Sequence, residues 1–325
     1  MSQLITVIPV YNGEKYLDAT LESLAQQTLR PDRVIVQDNC STDGTQAVVE
    51  RFRQRHPDLN CEWRQNERDI GSGGNFNRAL GFAAEADYLH LIPHDDLIRP
   101  HFYERLLAAL GAIGGPTFAY SAYEVIGEDG QSVPGGDLNC PFPVLFPSEV
   151  RELDLRRFLE WQADLKTICL PAVLMKTGRK SLPVEFSFDY IQAADAVFYA
   201  ELAARGFRVF EVTEALCQYR RHIESYTTSN QRRPGSVIAD EWKAMQAIGR
   251  LIPQSRMARW LWRQRQQCLL AARSAVKSQL IGDAALAKDV RRVATECVGP
   301  LHCWLGYFAV ALRDCIRKVR SRNRQ

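Results

Sequence analysis

The residues of this chain best suited to chemistry are two adjacent carboxylates, Asp95 and Asp96, in the stretch DYLHLIPHDDLIRP (87–100). Tyr88, Leu89, Leu91 and Ile92 form a nearly continuous apolar run, the pattern of a strand buried on both faces of a parallel sheet. The run stops at Pro93, and the carboxylates follow. Acidic groups just past the C-terminal end of a central strand stand where open α/β sheets bind ligands. A pair of them suits a hard divalent cation that also holds phosphates. Taken alone, the pair reads at least as readily as a solvated turn, because Asp favours turns.

The elements that must position these residues follow from periodicity. Residues 4–8 (LITVI) predict a buried strand, then a turn at Val10–Tyr11–Asn12–Gly13 and a helix with Tyr16, Leu17, Leu21, Leu24 and Ala25 at helical spacing. Val34–Val36 predict a second strand opening into QDNCSTDGT (37–45), where Ser41 or Thr42 would cap a helix to about Arg55. A third strand is expected at 60–64, then a glycine-rich loop over 66–77 and a helix over 78–85. Such alternation predicts a parallel sheet with helices on both faces and right-handed crossovers. The turns around residues 11, 38 and 95 then share one edge of the sheet, the binding crevice. Phe118–Tyr120 and Tyr123–Ile126 predict strands around a turn, 127–147 a long functional loop, 153–162 a helix, 188–206 a helix with Asp195 at its polar start, and 207–212 a strand.

The totals bound the class. A chain of 325 residues with 46% hydrophobic and 24% charged residues is that of an ordinary soluble protein with one large or two smaller domains. Charge is uneven: residues 1–235 carry 24 Lys+Arg against 32 Asp+Glu, whereas 236–325 carry 17 against 6. The division expected is therefore a catalytic domain over 1–235 and a basic helical region over 236–325, a region suited to an acidic surface. Nine scattered cysteines without a Cys-x-x-Cys pair fit a reduced, cytoplasmic compartment. Met1 leads almost directly into a strand, leaving no room for a signal peptide.

Together these stretches resemble a family 2 glycosyltransferase with the GT-A fold, over roughly residues 3–228. TVIPVYNGEKYLDATLESLAQQT resembles the family's first strand, turn and helix; VIVQDNCSTDGT its second strand and loop; IGSGGNFNRAL the Asn-rich loop; HDDL the end of its Asp-x-Asp motif; Ala194–Asp195 its Glu-Asp; and YRRH its closing Tyr-Arg-x-His. The resemblance implies an inverting, metal-dependent transfer of sugar from a nucleotide-diphosphate sugar to a hydroxyl on a glycan or lipid-linked acceptor, in surface polysaccharide or lipid-linked glycan synthesis. It places Pro9, Tyr11, Asp38, Asn39 and Asn75 at the nucleotide, and Asp95 on Mg²⁺ or Mn²⁺ with Asp96 supporting it. His222 would approach the metal or the diphosphate, and Asp195 would be the general base. The sequence departs from the family at Pro93, which takes the place of the motif's first Asp, at Asn39 in place of a second Asp, and at Ala194 in place of Glu. Those departures motivate the rival reading, a catalytically silent nucleotide-sugar-binding or scaffold protein.

The chemistry explains the residue types. Cleaving the bond from the anomeric carbon to phosphate builds charge on the departing diphosphate, which a cation held by a carboxylate neutralises. A second carboxylate takes the proton of the attacking hydroxyl, contributing about 10²- to 10⁴-fold in rate.

Beyond residue 236, Trp242, Met245, Ile248, Leu251, Trp260, Leu261, Leu269 and Leu270 describe amphipathic helices with arginines outside. Cys303–Leu312 (CWLGYFAVAL) is uncharged and too short to span a bilayer. Followed by Arg313, Arg317, Lys318, Arg320, Arg322 and Arg324, it fits an interfacial helix on an anionic membrane through 301–325. A packed terminal helix with a basic tail reads equally well. Nucleic acid is not expected, since the aromatic and basic residues are segregated. The location expected is the cytoplasm, peripheral to the plasma membrane.

Overall fold

The computed structural model describes residues 2–111, 113–133, 149–165, 168–187, 189–223, 225 and 233–322. The chain forms two units, one of residues 1–158, 166–188 and 198–222, the other of 159–165, 189–197 and 223–325.

The first unit is built on one mixed sheet. Its strands are β1 (Leu4–Val10), β2 (Arg33–Asp38), β3 (Cys61–Gln65), β4 (Tyr88–Leu91), β5 (Leu97–Ile98), β6 (Thr117–Ile126), β7 (Val150–Leu153), β8 (Val173–Lys176) and β9 (Arg208–Arg220). They run in the order β3-β2-β1-β4-β8-β6-β9-β5, with β7 also on β9. The pairings within β3-β2-β1-β4 are all parallel, as the β-α-β alternation demands. Every residue of β1 is buried, which is why it reads as an unbroken apolar run. Strand β8, four residues without a period of its own, enters antiparallel between β4 and β6.

The helices of this half are α1 (Leu17–Ala25), α2 (Thr45–Arg55), α3 (Gly71–Leu80) and α4 (Phe102–Gly111). Leu17, Leu21, Val48, Val49, Phe52, Phe102 and Leu106 join Ile8 and Val36 in the core. Beneath the central strand, His90 is fully buried, its ring 2.8 Å from the Tyr103 hydroxyl and 2.9 Å from the Pro171 carbonyl oxygen. Burial depresses its pKa to about 4, so the ring is neutral.

Four local expectations are corrected. Helix α2 starts after Gly44 without a side-chain cap, because Ser41 and Thr42 are committed to neighbouring turns. Helix α3 begins inside the glycine-rich stretch, seven residues before the predicted start. One long-range and one local bond outweigh its poor propensity there: Asn39 Oδ1 accepts from Ile70 N–H and Asp69 Oδ1 from Gly71 N–H. The two strands expected over 118–126 are one strand, β6, whose break at Ser121–Tyr123 is absorbed as a register irregularity against β9. Helix α5 (Leu155–Ala163) lies where 153–162 predicts one, whereas helix α6 (Ala194–Ala204) starts six residues later than 188. Most of the loop expected over 127–147 lies outside the described residues.

The second unit contains helices Pro234–Leu251, Arg256–Leu280, Ala284–Val298 and Pro300–Arg322. Buried Glu241 joins the first two, accepting from Lys277 at 2.6 Å and Arg273 at 3.3 Å. The second and fourth approach closely at Gly306, where an added Cβ would meet the Ala271 Cβ at 2.6 Å. Trp242, Met245, Ile248 and Leu270 are buried as their spacing predicts, but Trp260 and Leu261 are exposed. Among the described residues no helix is long and apolar enough to cross a membrane.

Candidate active site

Three turns of the first unit are fastened together at the C-terminal edge of its parallel strands. Asn12, in left-handed conformation (φ 52°), links the first to the second. Its N–H donates to Ser41 Oγ (2.8 Å), and its Oδ1 accepts from Thr42 N–H (2.9 Å). Gly13 N–H donates to Thr45 Oγ1 (2.8 Å) and Glu14 N–H to Asp43 Oδ2 (3.0 Å). Gly13 also meets the third turn so closely that a Cβ there would lie 2.9 Å from His94 Cδ2. Thr20 Oγ1 bonds the carbonyls of His94 (2.8 Å) and Asp96 (2.9 Å) from below.

At the third turn, Asp95 Oδ2 lies 2.9 Å from His222 Nε2. Both side chains are largely buried, and the His222 ring packs 4.6 Å from that of Tyr16. Burial pushes the Asp95 carboxyl up, but the bond from His222 and the charge of His94 and His222 outweigh it and hold Asp95 below the usual carboxylate range. Asp96 is the opposite case. Burial and the Asp95 charge drive it well above that range, and Arg220 offsets them only in part. Its Oδ1 accepts from Arg220 N–H at 2.8 Å, tying the β4 turn to the end of β9.

Arg220, which the sequence reading passed over beside His222, organises this corner. Its Nε donates to the Asp95 carbonyl (2.8 Å) and its Nη1 to those of Gly127 (3.2 Å) and Glu128 (3.1 Å), while the guanidinium lies 5.1 Å from the Tyr16 ring centroid.

The nucleotide-side candidates divide. Tyr11 is 48% exposed at the turn tip, and Pro9 is buried within β1. Asp38 is fully buried, its oxygens accepting from Ser41 N–H (3.0 Å) and Gln65 Nε2 (2.9 Å). Asn39 Oδ1 accepts from Asn66 Nδ2 (2.9 Å), and its amide donates to Asp69 Oδ1 (2.5 Å). Asn75 accepts from Asn66 Nδ2 (2.9 Å) and donates to the Gln37 carbonyl (2.9 Å). The structure thus gathers Tyr11, Asp38, Asn39, Asp95 and Asp96 on three adjoining turns, brings Asn75 of α3 and His222, just past β9, against them, and commits the polar atoms of Asn39, Asn75 and Asp38 to the protein itself. Buried Asn66 and exposed Gln65 and Asp69 complete that network; their short polar run had no periodicity to mark it.

Asp195 belongs to the second unit, at the start of α6, with its Oδ1 accepting from Ala196 N–H at 2.7 Å. Burial, reinforced by the charge of Asp240, pushes its carboxyl up to about 7. Asp240 itself is buried and accepts three backbone N–H groups, from Ile191 (2.8 Å), Gln192 (2.8 Å) and Ala193 (3.1 Å). Nothing in sequence marks Asp240, because its partners are backbone groups some fifty residues earlier.

The donor set at the β4 turn fits a divalent cation. Asp95 supplies an anionic oxygen and His222 an imidazole, whose Nδ1 is buried without a hydrogen-bond partner among the described residues. Among those residues no third His, Cys, Asp or Glu completes a cluster. Such a set matches a cation that takes its remaining ligands from phosphates and water.

A parallel β3-β2-β1-β4 half, continued by antiparallel β8 and carrying an acidic turn after its last parallel strand, is the GT-A fold of sugar transferases. The chain belongs to glycosyl transferase family 2, whose profile matches residues 6–169. A relative, the poly(ribitol-phosphate) beta-N-acetylglucosaminyltransferase TarS of Staphylococcus aureus, is 34% identical over 100 residues, 30% of this chain and 17% of TarS; the match thus spans about a sixth of that protein. The O-antigen chain rhamnosyltransferase RfbN of Salmonella typhimurium is 23% identical over 232 residues, 69% of this chain and 68% of RfbN. Among solved structures, residues 1–349 of S. aureus TarS with UDP-GlcNAc superpose with a TM-score of 0.61 at 19% identity, covering 95% of this chain and 90% of that one. The mannosyltransferase PcManGT of Pyrobaculum calidifontis, with GDP-Man and Mn²⁺, superposes with a TM-score of 0.54 at 17% identity, covering 98% and 87%.

Proposed function

We propose that this chain transfers a sugar from a nucleotide-diphosphate sugar to a hydroxyl of a glycan or lipid-linked acceptor, with inversion at the anomeric carbon and dependence on a divalent cation. The Asp95–His222 pair at the end of the central parallel half carries the reading, because an anionic carboxylate beside an imidazole suits a cation shared with a diphosphate. Asp95 and His222 would hold Mg²⁺ or Mn²⁺, which when bound neutralises charge on the departing diphosphate. The Mn²⁺ and GDP-Man named with PcManGT, and the UDP-GlcNAc named with TarS, support this choice.

The protein's own groups do the rest. Asp96 and Arg220 fix the Asp95 backbone, exposed Tyr11 offers a ring to the base, and the buried Asp38–Asn39–Asn75 network sets the floor beneath it. Asp195, with its carboxyl raised to about 7, is matched to receive the acceptor proton near neutral pH. The acceptor would be met at an anionic membrane surface through residues 301–325, as in surface polysaccharide synthesis.

Nucleoside diphosphate release from a panel of nucleotide-sugars with Mn²⁺ or Mg²⁺, in wild type and Asp95→Ala, tests the proposal. Release by wild type alone supports it. Donor binding by both proteins with release by neither would establish the silent, scaffold reading suggested by Pro93 and Ala194.

A further inference from the structure

The second unit displays an apolar surface that its core does not use. In the helix Arg256–Leu280, full burial begins only at Gln266. Before it, Met257, Trp260 and Leu261 recur at i, i+3, i+4 and are all exposed, Trp260 by 55%. Arg256, Arg259 and Arg263 form the adjoining stripe, exposed and without a carboxylate partner among the described residues. The helix contains no Asp or Glu.

The helix Pro300–Arg322 repeats the pattern. Cys303, Gly306 and Val310 make its buried stripe, and Gly306 sits against Ala271. On the opposite side Leu301, Trp304, Leu305 and Phe308 recur at i, i+3, i+4, i+7 and are exposed, Trp304 by 63%. Trp304 and Phe308 stack at 5.6 Å while both remain more than half exposed. A helix apolar on both sides has a second surface to cover. A hydrogen bond between His302 Nε2 and Gln264 Oε1 (2.9 Å) sets the start of this helix against the other, three residues past Leu261.

We infer that Met257, Trp260 and Leu261, together with Leu301, Trp304, Leu305 and Phe308, form one two-helix face that enters the interface of an anionic lipid membrane. This extends the membrane reading proposed above from residues 301–325 to a second, separate segment, and rests on it. Charge decides the occupant. Two helices rich in aromatic and aliphatic residues, flanked by arginines and holding one acidic residue between them, Asp314, suit phospholipid headgroups over an acyl layer. A second copy of the chain would present the same cations and repel.

The test is flotation of the full chain with vesicles of phosphatidylcholine alone and with added phosphatidylglycerol. Wild type should float with the anionic vesicles at least about 10-fold better than with the neutral ones, and lose the preference at high salt. The pair W260E/L261E and the pair W304E/F308E should each cut flotation about 10-fold or more, and R256E/R259E/R263E should do so without touching an apolar residue. Unchanged thermal melting and donor binding would show each variant folded. If only W304E/F308E weakens flotation, the membrane reading stands and the two-helix face is wrong. If wild type does not float at all, both fall. Variants that turn an oligomer into monomers without affecting flotation would assign the face to a second copy, and retention on single-stranded RNA instead of vesicles would assign it to nucleic acid.

Discussion

Oδ2 of Asp95 and Nε2 of His222 lie 2.9 Å apart although 127 residues separate them in sequence. One ends the turn after β4, the other follows β9, and Arg220 locks the two segments together. If the pair holds a cation, Asp95→Ala should lose about 10²-fold or more in kcat/KM, and chelation should abolish turnover reversibly. His222→Ala should need a higher Mn²⁺ concentration for half-maximal rate. A Mn²⁺ titration identical to wild type would remove His222 from the metal site.

Asp195 predicts the acid limb of the pH profile. A base with its pKa near 7 is protonated below it, so kcat/KM should rise about tenfold per pH unit and level off above about 7. Asp195→Asn should cost about 10²- to 10⁴-fold in rate. The same raised pKa has the opposite sign for stability. The fold keeps a proton that the unfolded chain releases above its ordinary value of 3.8, so this contribution is complete below that value and lost as pH rises through about 7. Asp195→Asn should therefore melt higher than wild type at pH 8, and a lower melting temperature would contradict the assignment.

Asp240 should matter without touching substrate. Its three backbone acceptor bonds hold 191–193, the entry to α6, and its charge helps raise Asp195. Asp240→Asn should lower kcat about tenfold with little change in donor KM, and move the acid limb to lower pH. An unchanged profile with an unchanged kcat would make Asp240 a purely structural cap.

His90 gives a test independent of activity. Its pKa falls from 6.5 to about 4 on burial, so its stabilising share is full above 6.5 and is lost as pH falls toward 4. That loss amounts to about 3 kcal/mol at most. Denaturant midpoints for wild type and His90→Gln should converge over that window; parallel curves would show that the ring is not the responsible group.

The parallel half of the fold was readable because β1, β2 and β4 are buried and its helices carry a single apolar stripe, so pattern and burial coincide at Leu4–Val10 and at Leu17, Leu21 and Leu24. The same logic located the turns bearing Tyr11, Asp38 and Asp95. It failed where long-range bonds decide: Gly71–Gly74 is helical where Asn39, about thirty residues earlier, holds the start, and Ser121–Tyr123 stays in one strand because β9 accommodates the break. Trp260 and Leu261 show a further limit, since helical spacing reveals a stripe but not whether anything covers it.

Arg220 has a consequence for how such a protein can diversify. Its guanidinium moors the chain at Gly127 and Glu128 to the turn that bears Asp95, so the segment after Glu128 leaves from a fixed post. Insertions and exchanges beyond that post leave the anchorage of the Asp95 turn in place. A lysine at 220, with one compact ammonium in place of a planar fork, could not hold both segments at once, and a change in one would shift the other.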